Sequence, residues 1–315
     1  MRILVWNVHG SWMTSFVQGR HTYLVPLLPD RGPDGLGRAQ TFAWPQNAVE
    51  MTPEELATTD VDLVVLQRPH ELRLAQRWTG RRLPAVFVEH NPPKGEVPNT
   101  RHPMADRDDA VLVHVTHFNE LFWDSGGTRR TVIEHGIADP GALYTGELER
   151  AVAVINEPVR RWRVTGTDLL PQFARVAPID VYGADSLALA GRMSGAPVLP
   201  HGDPGQASLH EQMARRRVYL HPFRWTSLGF SLIEAMTLGM PVVALATTEA
   251  IEAVPAEAGF LSTRVDFLSE AMAWLLNDSN AAKAFGTRAR TAALNRYSLP
   301  RFLDDWDQLF KEVCG

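Results

Sequence analysis

A chain of 315 residues is long for one α/β core and suits two. With 45% hydrophobic and 21% charged residues it reads as a soluble globular protein, and a net charge of −5 argues against general binding to nucleic-acid backbones or anionic membranes. The single cysteine, Cys314, excludes an intramolecular disulfide and a cysteine-rich zinc site, and its position near the C-terminus argues against a catalytic thiol. No apolar run approaches the roughly 18 residues of a membrane span, and Ile3-Leu4-Val5-Trp6 is too short for a signal-peptide core. The expected location is the cytoplasm. All but three of the 31 basic residues are arginine, the lysines being Lys94, Lys283 and Lys311. That skew suggests a GC-rich source such as an actinobacterium or one of its phages.

In chain order, short β-branched apolar runs fall at Ile3–Val8, Thr22–Val25, Val61–Leu66, Ala85–Glu89, Ala110–Val115 and Thr131–Ile133. A second set falls at Ala151–Ile155, Ile179–Tyr182, Val218–His221, Pro241–Leu245 and Gly259–Ser262. Their continuous apolarity predicts strands buried on both faces of parallel sheets, and the segments between them predict crossover helices. Two such sets predict two doubly wound Rossmann-like domains facing each other across a cleft. Asp139-Pro140-Gly141 and Gly146 break both periods, so the domains are expected at 1–142 and 143–298. Residues 299–315 open on Leu299-Pro300 and carry an apolar stripe of Phe302, Leu303, Trp306, Leu309, Phe310 and Val313, which predicts a helix bracing the domains. The Gly- and Pro-rich segments Gly32–Gly37 and Pro92–Pro103 are expected to be mobile loops at the cleft mouth.

The stretch from His221 to Val243 carries the most chemistry. It predicts a strand ending at His221, a loop containing Gly229, a helix starting at Phe230 or Ser231 and stopping at Gly239, and Pro241 opening the next strand. A helix N-terminus offers unpaired amides and a positive dipole end to a diphosphate. Gly229 is expected to let a ligand approach the backbone closely. Glu234, about one turn inside, can accept hydrogen bonds from a ribose diol. The run Gly229-Phe230-Ser231-Leu232-Ile233-Glu234-Ala235-Met236, with Gly239 and Pro241-Val242-Val243, resembles the donor motif of retaining GT-B glycosyltransferases of the family-4 type.

That resemblance implies a GT-B fold and transfer of a sugar from a nucleotide-diphosphate donor to an acceptor hydroxyl, with retention at the anomeric carbon and without a metal. It implies that Ser227, Leu228, Gly229, Phe230 and Ser231 hold pyrophosphate and sugar, and that Glu234 holds ribose. The family's first Glu, which contacts the transferred sugar, is replaced by Thr226. The family also places an Arg and a Lys five residues apart after the first strand of this domain. Here that register falls on Arg160 and Thr165, with Arg161 and Arg163 beside them to stabilise the leaving diphosphate. In the first half, Ala85–Asn91 resembles the acceptor-side strand whose following histidine, here His90, binds the transferred sugar. Gly10 fits a Gly-rich turn near donor and acceptor. Gly19-Arg20-His21 and Glu134-His135-Gly136 resemble structural turns of the family. The acceptor is not named by these residues. A silent sugar-nucleotide-binding subunit, an inverting transferase and a sugar-nucleotide epimerase stand as alternatives.

Other patterns carry less. Asp60-Val61-Asp62 has D-x-D spacing but sits at a strand start, and His114 and His117 point to opposite faces if both lie in a strand. Gly35-Leu36-Gly37 lacks the strand and helix of a dinucleotide fingerprint. Asp304, Asp305 and Asp307 read as the solvated face of the last helix.

Overall fold

The computed structural model describes residues 1–193 and 195–315. It contains two wholly parallel sheets. The first holds β1 (Arg2–Val5), β2 (Thr22–Pro26), β3 (Ala48–Met51), β4 (Leu63–Leu66), β5 (Ala85–Glu89), β6 (Val111–His114) and β7 (Arg130–Val132), in the order β3-β2-β1-β4-β5-β6-β7. The second holds β8 (Leu148–Val154), β9 (Ile179–Tyr182), β10 (Val198–Pro200), β11 (Arg216–His221), β12 (Val242–Leu245) and β13 (Gly259–Ser262), in the order β10-β9-β8-β11-β12-β13. Parallel neighbours need crossovers. The first sheet has α1 (Gly10–Phe16), α2 (Pro53–Thr58), α3 (Glu71–Thr79) and α4 (His117–Phe122). The second has α5 (Leu170–Phe173), α6 (Gln206–Arg215), α7 (Phe230–Leu238), α8 (Ala250–Ala253), α9 (Val265–Asn277) and α10 (Ser279–Arg296). The chain is thus α/β with two Rossmann-like parallel-sheet domains.

The chain divides into one unit of residues 1–138 with 299–315 and another of residues 139–298. Central strands β4, β6, β9 and β12 are buried at every position, as continuous apolar runs require. Two strands lack such runs, β3 (AVEM) and β10 (VLP), and both are sheet edges with mixed burial. β11 begins two residues earlier than its apolar run, because Arg216 and Arg217 are buried with partners. Arg216 Nε donates to Asp180 Oδ2 at 2.8 Å, and Arg217 Nε donates to the Gly146 carbonyl at 3.0 Å. β1 stops at Val5 rather than Val8, where the chain turns toward α1.

The last helix, α11 (Leu299–Cys314), packs on the first unit through Phe302, Trp306 and Phe310 against Trp12 and Phe16. Asp307 is not solvated as its helical face suggests. Its carboxylate is 2.7 Å from His21 Nε2 and 2.8 Å from Arg20, so the Gly-Arg-His turn before β2 fastens this helix. Asp305 pairs with Arg301 at 2.6 Å. The expected mobile loops are also tied down. Trp6 Nε1 donates to the Asp34 carbonyl and Asn7 Nδ2 to the Gly37 carbonyl, both at 3.0 Å. In the other segment, Arg101 and Asp124 form a bridge, and buried His102 donates to Glu89 at 3.0 Å. Among the described residues, no helix is long and apolar enough to cross a membrane.

Candidate functional site

In an open parallel sheet, ligands bind outside the carboxyl ends of the strands where the strand order reverses. In the second sheet that point lies between β8 and β11. Residues 160–165, singled out in the sequence, follow β8, and the singled-out stretch 221–243 begins on the last residue of β11 and runs on through the loop after it. α7 begins at Phe230 and ends on Gly239, whose left-handed φ of 92° closes the helix as predicted. Gly229 stands at its N-cap and, having no side chain, makes no capping bond of its own. A Cβ there would lie 2.7 Å from His221 Cε1, and the His221 ring is buried and stacked on Phe223 at 4.4 Å. The His221 ring thus makes its own demand for a glycine here, from within the fold. Burial lowers the His221 pKa to about 3, so this ring adds no charge. Behind the helix start, Tyr219 Oη donates to Ser231 Oγ at 2.8 Å. Ser227 and Leu228 are buried, while Thr226 and Phe230 are half-buried.

The loop after β11 is stitched to the loop after β8. Arg224 and Trp225 amides donate to the Val164 carbonyl at 2.9 and 3.2 Å, and the Arg224 guanidinium grips Asp168 through two bonds of 2.5 and 2.9 Å. Burial pushes the Asp168 carboxyl up, but the bonds and charge of Arg224 outweigh it and hold the pKa below its ordinary value. Gly166 allows this closeness: its φ is +69°, and a Cβ would fall 1.8 Å from the Pro222 carbonyl oxygen.

The candidate arginines differ. Arg160 is exposed and pairs with Glu157 three residues back, while Arg163 is exposed and pairs with Asp168 at 3.2 Å. Arg161 is half-buried, and its guanidinium has no hydrogen bond or ion pair among the described residues. Burial, then the charge of Arg160, lowers its pKa. Thr165, at the position expected for a second cation, is fully buried and bonds Thr167 Oγ1 at 2.9 Å.

Glu234 is 5% exposed on the second turn of α7. Its Oε1 accepts from Gln206 Nε2 at 3.0 Å and lies 3.3 Å from His210 Nε2, both on α6. These two residues were not singled out in the sequence. Their i, i+4 spacing puts them on one helix face, but only the packing of α6 on α7 brings that face to Glu234.

In the first sheet the order reverses between β1 and β4. His9 and Gly10 follow β1, and a Cβ on Gly10 would meet Phe42 at 3.1 Å. The His9 ring lies 4.0 Å from that of His90, which follows β5, and Trp12 meets His90 edge-on at 5.0 Å. Burial lowers the pKa of His9 to about 4 and of His135 to about 3, and drives His90 well below its ordinary value with help from His9 and His135. The cluster is thus neutral at physiological pH. Among the described residues no three His, Cys, Asp or Glu side chains are grouped to hold a metal ion. Asp62 accepts from the Arg2 amide at 2.7 Å, and His114 is buried while His117 is exposed.

The glycosyl transferases group 1 family profile matches residues 199–292, which include α6, α7 and the loop after β11. No curated protein matches the chain by sequence. Among solved structures, HepE from Anabaena in complex with UDP is 15% identical, with a TM-score of 0.72 over 99% of this chain and 100% of that one. Sucrose-phosphate synthase from Thermosynechococcus elongatus is also 15% identical, with a TM-score of 0.72 and 99% of each chain covered. TarM from S. aureus, solved with UDP and alpha-GlcNAc-glycerol, is 16% identical with a TM-score of 0.62. This chain covers 55% of TarM, and 79% of this chain is matched. At such identities the likeness establishes the shared fold, that of GT-B glycosyltransferases.

Proposed function

We propose that this chain is a glycosyltransferase that moves a sugar from a nucleoside-diphosphate donor to an acceptor hydroxyl, retaining the anomeric configuration. One observation carries this reading. The loop after β8, which carries Arg161, is bonded to the loop after β11, which leads into α7 and its buried Glu234, at the point where the strand order reverses. The amides around Gly229–Ser231 and Arg161 take the diphosphate, and Glu234 takes the ribose. Arg160 and Arg163, engaged with Glu157 and Asp168, form an outer basic rim.

In the proposed step the acceptor oxygen bonds to the anomeric carbon on the face from which the diphosphate leaves. The bond from that carbon to the phosphate oxygen breaks, and the acceptor proton passes to a phosphate oxygen of the departing nucleoside diphosphate. Arg161 and the α7 amides stabilise the charge that grows on the leaving group. We assign the face of the first sheet beside β1 and β4, with Gly10, His9 and His90, to the acceptor side. Its imidazoles, held neutral, suit hydroxyl recognition by hydrogen bonding. Thr226 then contacts the transferred sugar through a short neutral hydroxyl instead of a carboxylate. No metal is required by this scheme, so chelation of divalent ions should leave the rate unchanged. The deciding experiment is the anomeric configuration of the product by NMR. A product retaining the donor configuration is expected, and an inverted linkage overturns the mechanism.

A further inference from the structure

We propose that His210 works with Glu234 as the second half of a clamp for the ribose diol, and so sets a preference for ribonucleotides over deoxyribonucleotides. This rests on the reading of Glu234 as a nucleoside ligand. His210 is 6% exposed, on the second turn of α6. Its Nε2 sits 3.3 Å from Glu234 Oε1 yet, among the described residues, makes no aligned hydrogen bond with it or with any other atom. Gln206 already donates to that carboxylate oxygen at 3.0 Å. A nitrogen facing a carboxylate carries its proton on that side, since a lone pair there is repelled, so Nε2 is a donor. With Oε1 already taken by Gln206 and the His210 contact out of line, this buried donor is under-satisfied, which costs stability unless a ligand takes it.

The ligand must accept from an N–H while lying beside a carboxylate. A phosphate oxygen is excluded by repulsion from Glu234. A hydroxyl accepts from His210 and donates to Glu234 at once, and a vicinal diol offers both partners. Position supports the same group. Glu234 lies five residues beyond the α7 N-cap, roughly 7 Å along the axis at 1.5 Å per residue, about one phosphate-to-ribose step from amides that hold a diphosphate. Gln206 is then a positioning residue that fixes the Glu234 carboxylate.

The test compares UDP, GDP and ADP with their 2′,3′-dideoxy counterparts by calorimetry on the full chain. The wild type should bind the preferred ribonucleotide at least tenfold more tightly than its dideoxy form. His210→Phe, which keeps an aromatic ring but no donor, should cut that ratio severalfold and leave dideoxy binding unchanged. His210→Gln, which carries an N–H at similar reach, should restore most of it. If His210→Phe weakens both forms equally, the residue is only packing and the inference fails. If the wild type binds ribo and dideoxy forms alike, the inference fails while diphosphate recognition stands. If it binds no nucleoside diphosphate, the reading of the whole site falls with it.

Discussion

Three arginines stand within four residues after β8, and their surroundings separate them. Arg160 has satisfied its charge on Glu157 at the surface, where such a pair is screened by water. Arg161 has given up part of its hydration and, among the described residues, bonds no carboxylate, feeling Glu157 only through its charge, so it is the arginine left with donors for an incoming diphosphate. Arg161→Met should therefore weaken nucleoside-diphosphate binding about tenfold or more, the scale of a charge-assisted hydrogen bond, while Arg160→Met should leave it within about twofold. Calorimetry on the two variants checks this, and the opposite ranking would contradict the assignment. The sequence could place the basic cluster but not choose among its members, because the choice depends on which neighbours are acidic in space. The same limit applies to Gln206 and His210, whose relation to Glu234 is made by packing of one helix on another.

At the scale of elements, the loop after β11 keeps its shape through contacts its own sequence does not announce. Arg224 holds Asp168 of the loop after β8, and its backbone joins Val164. Arg224→Ala should speed amide exchange through 163–168 and 222–228 together, measured by hydrogen–deuterium exchange. Exchange confined to one loop would show that the clamp does not couple them. Because the folded Asp168 pKa is depressed, the pair contributes fully above the unfolded value of about 3.9, and this contribution is lost as pH falls through the folded value. The stability difference between wild type and Arg224→Ala should therefore shrink in acid below about pH 4, and a difference that grows there would contradict the pairing. Gly166→Ala should lower the melting temperature, since both its positive φ and the Pro222 carbonyl oppose a side chain. The bounds of α7 were legible because glycines bracket it and apolar residues fill it. The demand that His221 makes on Gly229 was not, since the buried ring comes to the glycine only when the loop after β11 folds back over it.

For the molecule as a whole, alternation of buried runs with helical segments made two parallel sheets readable, because strands covered on both faces leave a continuous apolar record. The edges β3 and β10 left no such record, having one side open and only three or four residues each. The last helix was readable by its stripe, but its attachment was not. Asp307 looked solvated until His21 and Arg20, far away in sequence, came to it. The donor reading spans only the second unit's switch point, and that is where it should be tried. The most direct measurement is calorimetric binding of a panel of nucleoside-diphosphate sugars to the wild type and to Glu234→Ala. The account predicts that at least one donor binds and that Glu234→Ala weakens it about 10- to 100-fold, as loss of a hydrogen-bonded carboxylate requires. Unchanged affinity in the variant, or no binding by the wild type, would contradict it.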